Sequence, residues 1–232
     1  DGELLMDVHA TGCYTSQAAM KLFNRRNELL ADAAERSAVM ADWAGTAAYP
    51  KAFLTEAWKR VIWHQFHDDL TGTSIPRAYE FSWNDELISM KQFANVLTSS
   101  VGGFSRMLDT QVKGTPVVIY NPAAFEVTAL AEIAYEGMPE KVSVYDSNGN
   151  RVPSRVVVDN GVRNLLVRAT VAPVGYAVYD VRKGGGTKTS AVHKASDKGM
   201  ENAVYKLAFD ANGDICSIVD KRSGRELVEA GK

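Results

Sequence analysis

Hydrophobic residues in the first half of the chain recur every three or four positions, a spacing typical of helices that bury one face. This pattern predicts three long helices, over residues 17–44, 54–66 and 76–108. Thr15 or Ser16 is the expected N-cap of the first helix, and Pro76 suits the start of the third. Because short connections join three apolar stripes that must all be buried, we expect an antiparallel three-helix bundle.

The tryptophans of this half are candidate core residues. Trp43, Trp58 and Trp83 lie within the predicted helices, and we expect all three in the core of the bundle. Trp58 and Trp63 could instead stack on a sugar ring, but aromatic residues on an apolar helix face more often belong to the core.

After residue 116 the pattern changes to short runs rich in valine, separated by turn dipeptides. The predicted strands cover residues 117–120, 129–135, 142–145, 152–158, 164–170 and 175–182. Asn148-Gly149 is a strong signal for a hairpin turn. The spacing of these strands is typical of a small antiparallel β-sandwich.

The last part of the chain begins with a linker and continues as a hairpin. Residues 183–190 are rich in glycine, threonine and lysine, the composition of a flexible linker. Predicted strands over 203–209 and 215–220 then flank the turn Asn212-Gly213. Since a lone hairpin is marginally stable in water, we expect it to belong to something larger than this chain.

The composition excludes several classes of protein. The 232 residues are 46% hydrophobic, and 26 basic residues nearly balance 28 acidic ones, so nothing indicates a disordered chain or a nucleic-acid partner. No apolar stretch approaches the ~18 residues that span a bilayer. Cys13 and Cys216 are too few for a disulfide framework or a cysteine-based zinc site. The first residues include no initiator methionine, so we expect the N-terminus to be internal to a longer gene product.

The densest cluster of polar residues lies at the end of the second predicted helix. His64 and His67 are three residues apart, and His64 and Asp68 are four apart, so either pair could present metal ligands on one helical face. Alternatively, histidines favour a helix C-terminus because of its dipole, while Asp68 and Asp69 cap the helix or face solvent. Spacing alone favours this second interpretation. One helical turn cannot complete a zinc shell, and the remaining histidines are His9 and His193.

Residues 65–68 (Gln-Phe-His-Asp) and 71–75 (Thr-Gly-Thr-Ser-Ile) resemble the His-Asp signature of the class II α-mannosidases, glycoside hydrolase family 38. Other segments resemble the family in the same order along the chain, namely residues 9–17, 119–122, 171–176 and 212–221. Two positions depart from the common pattern. Phe66 stands where many relatives have a second histidine, and Asp69 stands where a small or apolar residue is usual. The role of Asp69, which could raise a neighbouring carboxyl pKa or simply face water, stays open at this point.

The resemblance implies a function and assigns two residues. His67 would be a zinc ligand, and Asp68 would contact the bound mannose or support that ligand. Family members hydrolyse α-mannosides of glycans with retention, through a covalent glycosyl-enzyme intermediate. The nucleophile and the other zinc ligands would precede Asp1, so we expect no catalytic residue in this chain and no activity from it in isolation.

The resemblance also implies a multidomain α plus β architecture. Its parts are the end of a catalytic domain (residues 1–15), a helical middle domain (16–112), a small antiparallel β-sandwich (113–183), and a linker with the opening hairpin of a larger β-sandwich (184–232). The competing interpretation is a non-catalytic helical and β scaffold, or a carbohydrate-binding region, of another carbohydrate-active enzyme. That interpretation needs no metal.

Overall fold

The computed structural model describes residues 12–13, 15–134, 139, 141–185 and 193–229. The chain divides into two compact units, one ending at Gly184 and the other beginning at Gly185. His9, with most of the first predicted segment and most of the predicted linker, lies outside the described residues. No helix within the described part of the chain is both long enough and apolar enough to cross a membrane.

Three helices form the first half of the first unit: α1 (Ala18–Trp43), α2 (Lys51–His64) and α3 (Pro76–Ser105). Their shared core consists of Ala31, Ala34, Ala38, Leu54, Ala57, Val61, Phe93 and Val96. The alanines of α1 let the helices approach closely, and the larger residues of α2 and α3 fill the space that remains. Phe93 is completely buried and meets the ring of Trp58 edge-on, with 5.5 Å between ring centroids.

Two details of the helical prediction are wrong. Trp43 is 88% exposed and Trp83 is also exposed, so of the three tryptophans assigned to the core only Trp58 packs against it. The first helix has Gln17 as its N-cap, without a side-chain hydrogen bond. The hydroxyl of Ser16 donates instead to the carbonyl of Gly72 at 3.2 Å, because this part of the chain packs against the connection between α2 and α3.

Seven strands complete the first unit: β1 (Thr115–Asn121), β2 (Val127–Ala134), β3 (Val142–Tyr145), β4 (Arg151–Val152), β5 (Ser154–Asp159), β6 (Val162–Val171) and β7 (Gly175–Lys183). They form a four-stranded sheet in the order β1-β7-β3-β4 and a three-stranded sheet in the order β2-β6-β5. All pairings are antiparallel. Alternate residues of both sheets share one core, which includes Val144, Leu165, Val167 and Tyr179. A three-helix bundle followed by a small antiparallel β-sandwich is therefore confirmed.

Pro153 divides the strand predicted over 152–158 into two strands in different sheets. β4 pairs with β3, whereas β5 pairs with β6. Proline has no backbone N–H to donate to a ladder, so it is suited to the point where the chain passes from one sheet to the other. Its carbonyl still accepts a hydrogen bond from the N–H of Arg168 at 2.9 Å.

The second unit is an antiparallel sheet of five short strands: β8 (Lys194–Ser196), β9 (Gly199–Glu201), β10 (Tyr205–Phe209), β11 (Ile215–Asp220) and β12 (Arg225–Glu226). The order of the strands is β12-β11-β10-β9-β8. The predicted hairpin is β10 and β11, and short strands on both sides extend it.

Candidate functional site

The connection between α2 and α3, residues 65–75, is called the site loop here because it carries the predicted zinc ligand. Its backbone is held by hydrogen bonds around Asp68. The carbonyl of Asp68 accepts from the N–H groups of Thr73 and Ser74, both at 3.0 Å, and from the buried hydroxyl of Tyr79 in α3, also at 3.0 Å. Together with a longer contact from the hydroxyl of Thr73 at 3.4 Å, these donors fix the backbone of Asp68 relative to α3.

His67 and Asp68 lie next to each other on the outer side of the site loop. The side chain of His67 is 76% exposed and that of Asp68 is 48% exposed, with 3.4 Å between His67 Nε2 and Asp68 Oδ2. The other carboxylate oxygen of Asp68, Oδ1, accepts from the hydroxyl of Thr73 at 3.1 Å. The pair therefore holds an imidazole nitrogen and a carboxylate oxygen close together at an exposed position.

Next to this exposed pair along the chain, His64 and Asp69 form a largely buried contact. Nδ1 of His64 lies 2.8 Å from Oδ2 of Asp69, and Nε2 lies 3.2 Å from Oδ2 of Asp85 in α3. The side chain of His64 is only 5% exposed. Each ring nitrogen of His64 therefore faces a carboxylate oxygen, one from the site loop and one from α3.

The carboxylate of Asp69 also accepts hydrogen bonds from two serine hydroxyls. Ser74, at the far end of the site loop, donates to Oδ1 at 2.9 Å, and Ser82 in α3 donates to Oδ2 at 3.1 Å. Burial by itself raises the pKa of Asp69, but the hydrogen bonds from His64, Ser74 and Ser82 outweigh it, so the pKa lies below its usual value. Asp69 is therefore a buried carboxylate that joins α2, the site loop and α3, a role that neither sequence interpretation anticipated.

The opposite side of the site loop is held by α1 and the residues just before it. The ammonium of Lys21 donates to the carbonyls of Ser16, Leu70 and Thr71 at 2.6, 2.9 and 3.1 Å. Gly72 has a φ of +94°, and a Cβ at this position would lie 2.8 Å from the hydroxyl oxygen of Ser16. Only glycine fits here without displacing Ser16.

An exposed apolar surface lies beside the site loop. Ile62, Trp63 and Phe66 are all more than half exposed, and they line a shallow depression together with Lys59 and Gln65. Trp63 therefore belongs to the surface next to the site and not to the core of the bundle.

The site residues fit a metal ion in type but not in number. Imidazole nitrogen and carboxylate oxygen are ligands that zinc accepts. The part of the chain that the structure describes contains no cluster of three or more histidine, cysteine, aspartate or glutamate residues that could hold an ion. A zinc ion at His67 would need ligands from outside this part.

Comparison with known proteins shows which family this chain resembles. The model of the α-mannosidase middle domain matches residues 8–102, a range that contains the whole site loop. Alpha-mannosidase G of Dictyostelium discoideum is 22% identical over 265 residues, which cover 98% of this chain and 23% of that protein. The α-mannosidase of Saccharomyces cerevisiae is 38% identical over 174 residues, which cover 72% of this chain and 15% of that protein.

A solved structure agrees with the fold. A glycosyl hydrolase family 38 protein from Enterococcus faecalis superimposes with a TM-score of 0.73 at 17% identity, covering 94% of this chain and 31% of that one. The chain belongs to the class II α-mannosidases, glycoside hydrolase family 38. It spans only 15% to 23% of the length of these two curated family members.

Within this family 38 segment, the predicted site residues separate into two environments. His67 and Asp68 are exposed together on the site loop, whereas His64, which the spacing argument paired with them, is buried against Asp69. His193 is exposed in the second unit. Sequence reasoning missed the roles of Lys21, Tyr79, Ser82 and Asp85, since no local spacing connects α1 or α3 with the site loop.

Proposed function

We propose that this chain is part of a zinc-dependent retaining α-mannosidase, in which His67 is one ligand of the zinc ion. The observation that carries the proposal is the exposed His67–Asp68 pair on a firmly held loop, inside the range that matches the α-mannosidase middle domain. The relatives named as α-mannosidases support terminal α-mannosides of glycans as the substrate class.

Asp68 has the second role in this proposal. One of its carboxylate oxygens faces His67 and the other accepts from Thr73, so the carboxylate is oriented without being buried. From this position it contacts a mannose hydroxyl or supports His67. A bound zinc ion would hold sugar hydroxyls and favour the ring distortion that leads to the oxocarbenium-like state.

This chain contributes no nucleophile in the proposal. Asp68 and Asp69 are adjacent, but Asp69 is buried against His64 and cannot form with Asp68 the pair of carboxylates, ~5 Å apart across the scissile bond, that a retaining enzyme uses. The isolated chain should therefore not hydrolyse an aryl α-mannoside above a His67→Ala control.

The test uses the full-length protein that contains this chain. We expect His67→Ala to lose both bound zinc, measured by elemental analysis, and α-mannosidase activity. The matched control is His193→Ala, which removes an exposed imidazole in the second unit and should keep both. If His67→Ala keeps its zinc and its activity, the proposed role of His67 is wrong and a non-catalytic scaffold becomes the better interpretation of this segment.

A further inference from the structure

The largely buried pair of His64 and Asp69 adjoins the exposed pair of His67 and Asp68 along the chain. Asp69 follows Asp68 in the chain, and His64 is the last residue of α2, three positions before His67. Both members of the buried pair are largely excluded from solvent, with side-chain exposures of 5% and 13%. Neither can contact substrate directly from this position.

The carboxylate of Asp69 connects three structural elements through short contacts. It pairs with His64 of α2, accepts from Ser74 at the end of the site loop, and accepts from Ser82 of α3. The neighbouring backbone carbonyl, that of Asp68, accepts hydrogen bonds from the N–H groups of Thr73 and Ser74 and from the hydroxyl of Tyr79. A shift of Asp69 would therefore move the backbone of Asp68 and, through it, the orientation of the exposed pair.

We infer that His64 and Asp69 are positioning residues that fix the orientation of His67 and Asp68 for ligand binding, through the Nδ1 contact of His64 and not its Nε2 contact. This inference rests on the proposed function of His67. The two ring nitrogens contact different elements: Nδ1 reaches the site loop, whereas Nε2 reaches Asp85, whose side chain is 40% exposed and has no part in the loop.

The two nitrogens can be tested separately by amide replacements. Asparagine places an N–H₂ donor near the position of Nδ1, and glutamine places one near the position of Nε2. His64→Asn should therefore keep the contact with Asp69, and His64→Gln should keep only the contact with Asp85. A merely space-filling role predicts the opposite order, since glutamine is closer to histidine in volume.

The experiment measures zinc affinity of the full-length protein by competition with a chelator. His64→Gln should bind zinc about tenfold or more weakly than wild type, the usual effect of losing a group that orients a metal ligand, and His64→Asn should stay within about threefold. Asp69→Asn, which keeps the side-chain shape but removes one acceptor oxygen, should behave like His64→Gln.

A second readout does not depend on zinc. Amide hydrogen exchange of the peptide covering the site loop reports the Thr73 and Ser74 N–H groups, which donate to Asp68. Exchange in the metal-free protein should be faster in His64→Gln than in His64→Asn. Equal exchange and equal zinc affinity in the two variants would overturn the positioning role.

The variant His67→Ala separates this inference from the proposed function. Loss of zinc in His67→Ala, together with equal behaviour of the two His64 variants, would overturn only the positioning role. Retention of zinc in His67→Ala would overturn the zinc site itself and the expected effect of His64 on zinc affinity.

Discussion

Replacing Phe93 by alanine should strongly destabilise the helical bundle. Phe93 lies in α3, is completely buried, and packs edge-on against Trp58 in the shared core of all three helices. Removing a buried phenylalanine side chain costs about 3–5 kcal/mol of unfolding free energy, because transfer energy is lost and a cavity remains. The nitrogen of Trp58 is held by Glu35 at 2.7 Å, so its ring is restrained from moving into the cavity.

The control is Phe81→Ala in the same helix, since Phe81 is 63% exposed. Both variants gain the same helix propensity of alanine, so the difference between them reports burial. The assay is thermal unfolding of the purified chain, followed by circular dichroism at a wavelength dominated by helix. For a chain of this size, 3–5 kcal/mol lowers the midpoint by about 6–20 °C, whereas Phe81→Ala should change it little. Similar shifts in the two variants would refute the packing of α3 described above.

Two further predictions concern the first unit. Gly72→Ala places a Cβ against Ser16 at a positive φ and should destabilise the unit by at least about 1–2 kcal/mol, measured by urea unfolding. Its control is Gly45→Ala, which has a similarly positive φ but open space around it, so equal losses would contradict the contact with Ser16. Burial raises the pKa of Glu86, against the opposing hydrogen bond from Asn27. Because the folded pKa lies above the unfolded one, stability from this group is present below the unfolded pKa of about 4.3 and is lost as pH rises through the folded value. Relative to wild type, Glu86→Gln should therefore gain stability as pH rises through that window. If the difference in unfolding free energy between the two proteins does not depend on pH, Glu86 does not titrate with a raised pKa.

The sequence determined the order and type of the elements. Helical periodicity predicted both ends of α1, α2 and α3 to within three residues. The dipeptides Asn148-Gly149 and Asn212-Gly213 lie at turns in the structure, as predicted. These signals are local, since they depend on residues within one turn of helix or one hairpin. The His-Asp motif at residues 65–68 likewise indicated the family from a short segment.

Only the tertiary structure decided which side chains meet. Periodicity shows which residues share a face, but not which face another element covers, and for that reason Trp43 was wrongly assigned to the core. His64 and Asp85 are 21 residues apart, and their contact arises from the packing of α2 against α3. Spacing grouped His64 with His67 and Asp68 on one helical face. The structure instead ends α2 at His64 and buries that residue against Asp69, because the chain leaves the helix there and the fold decides which polar groups surround a buried imidazole.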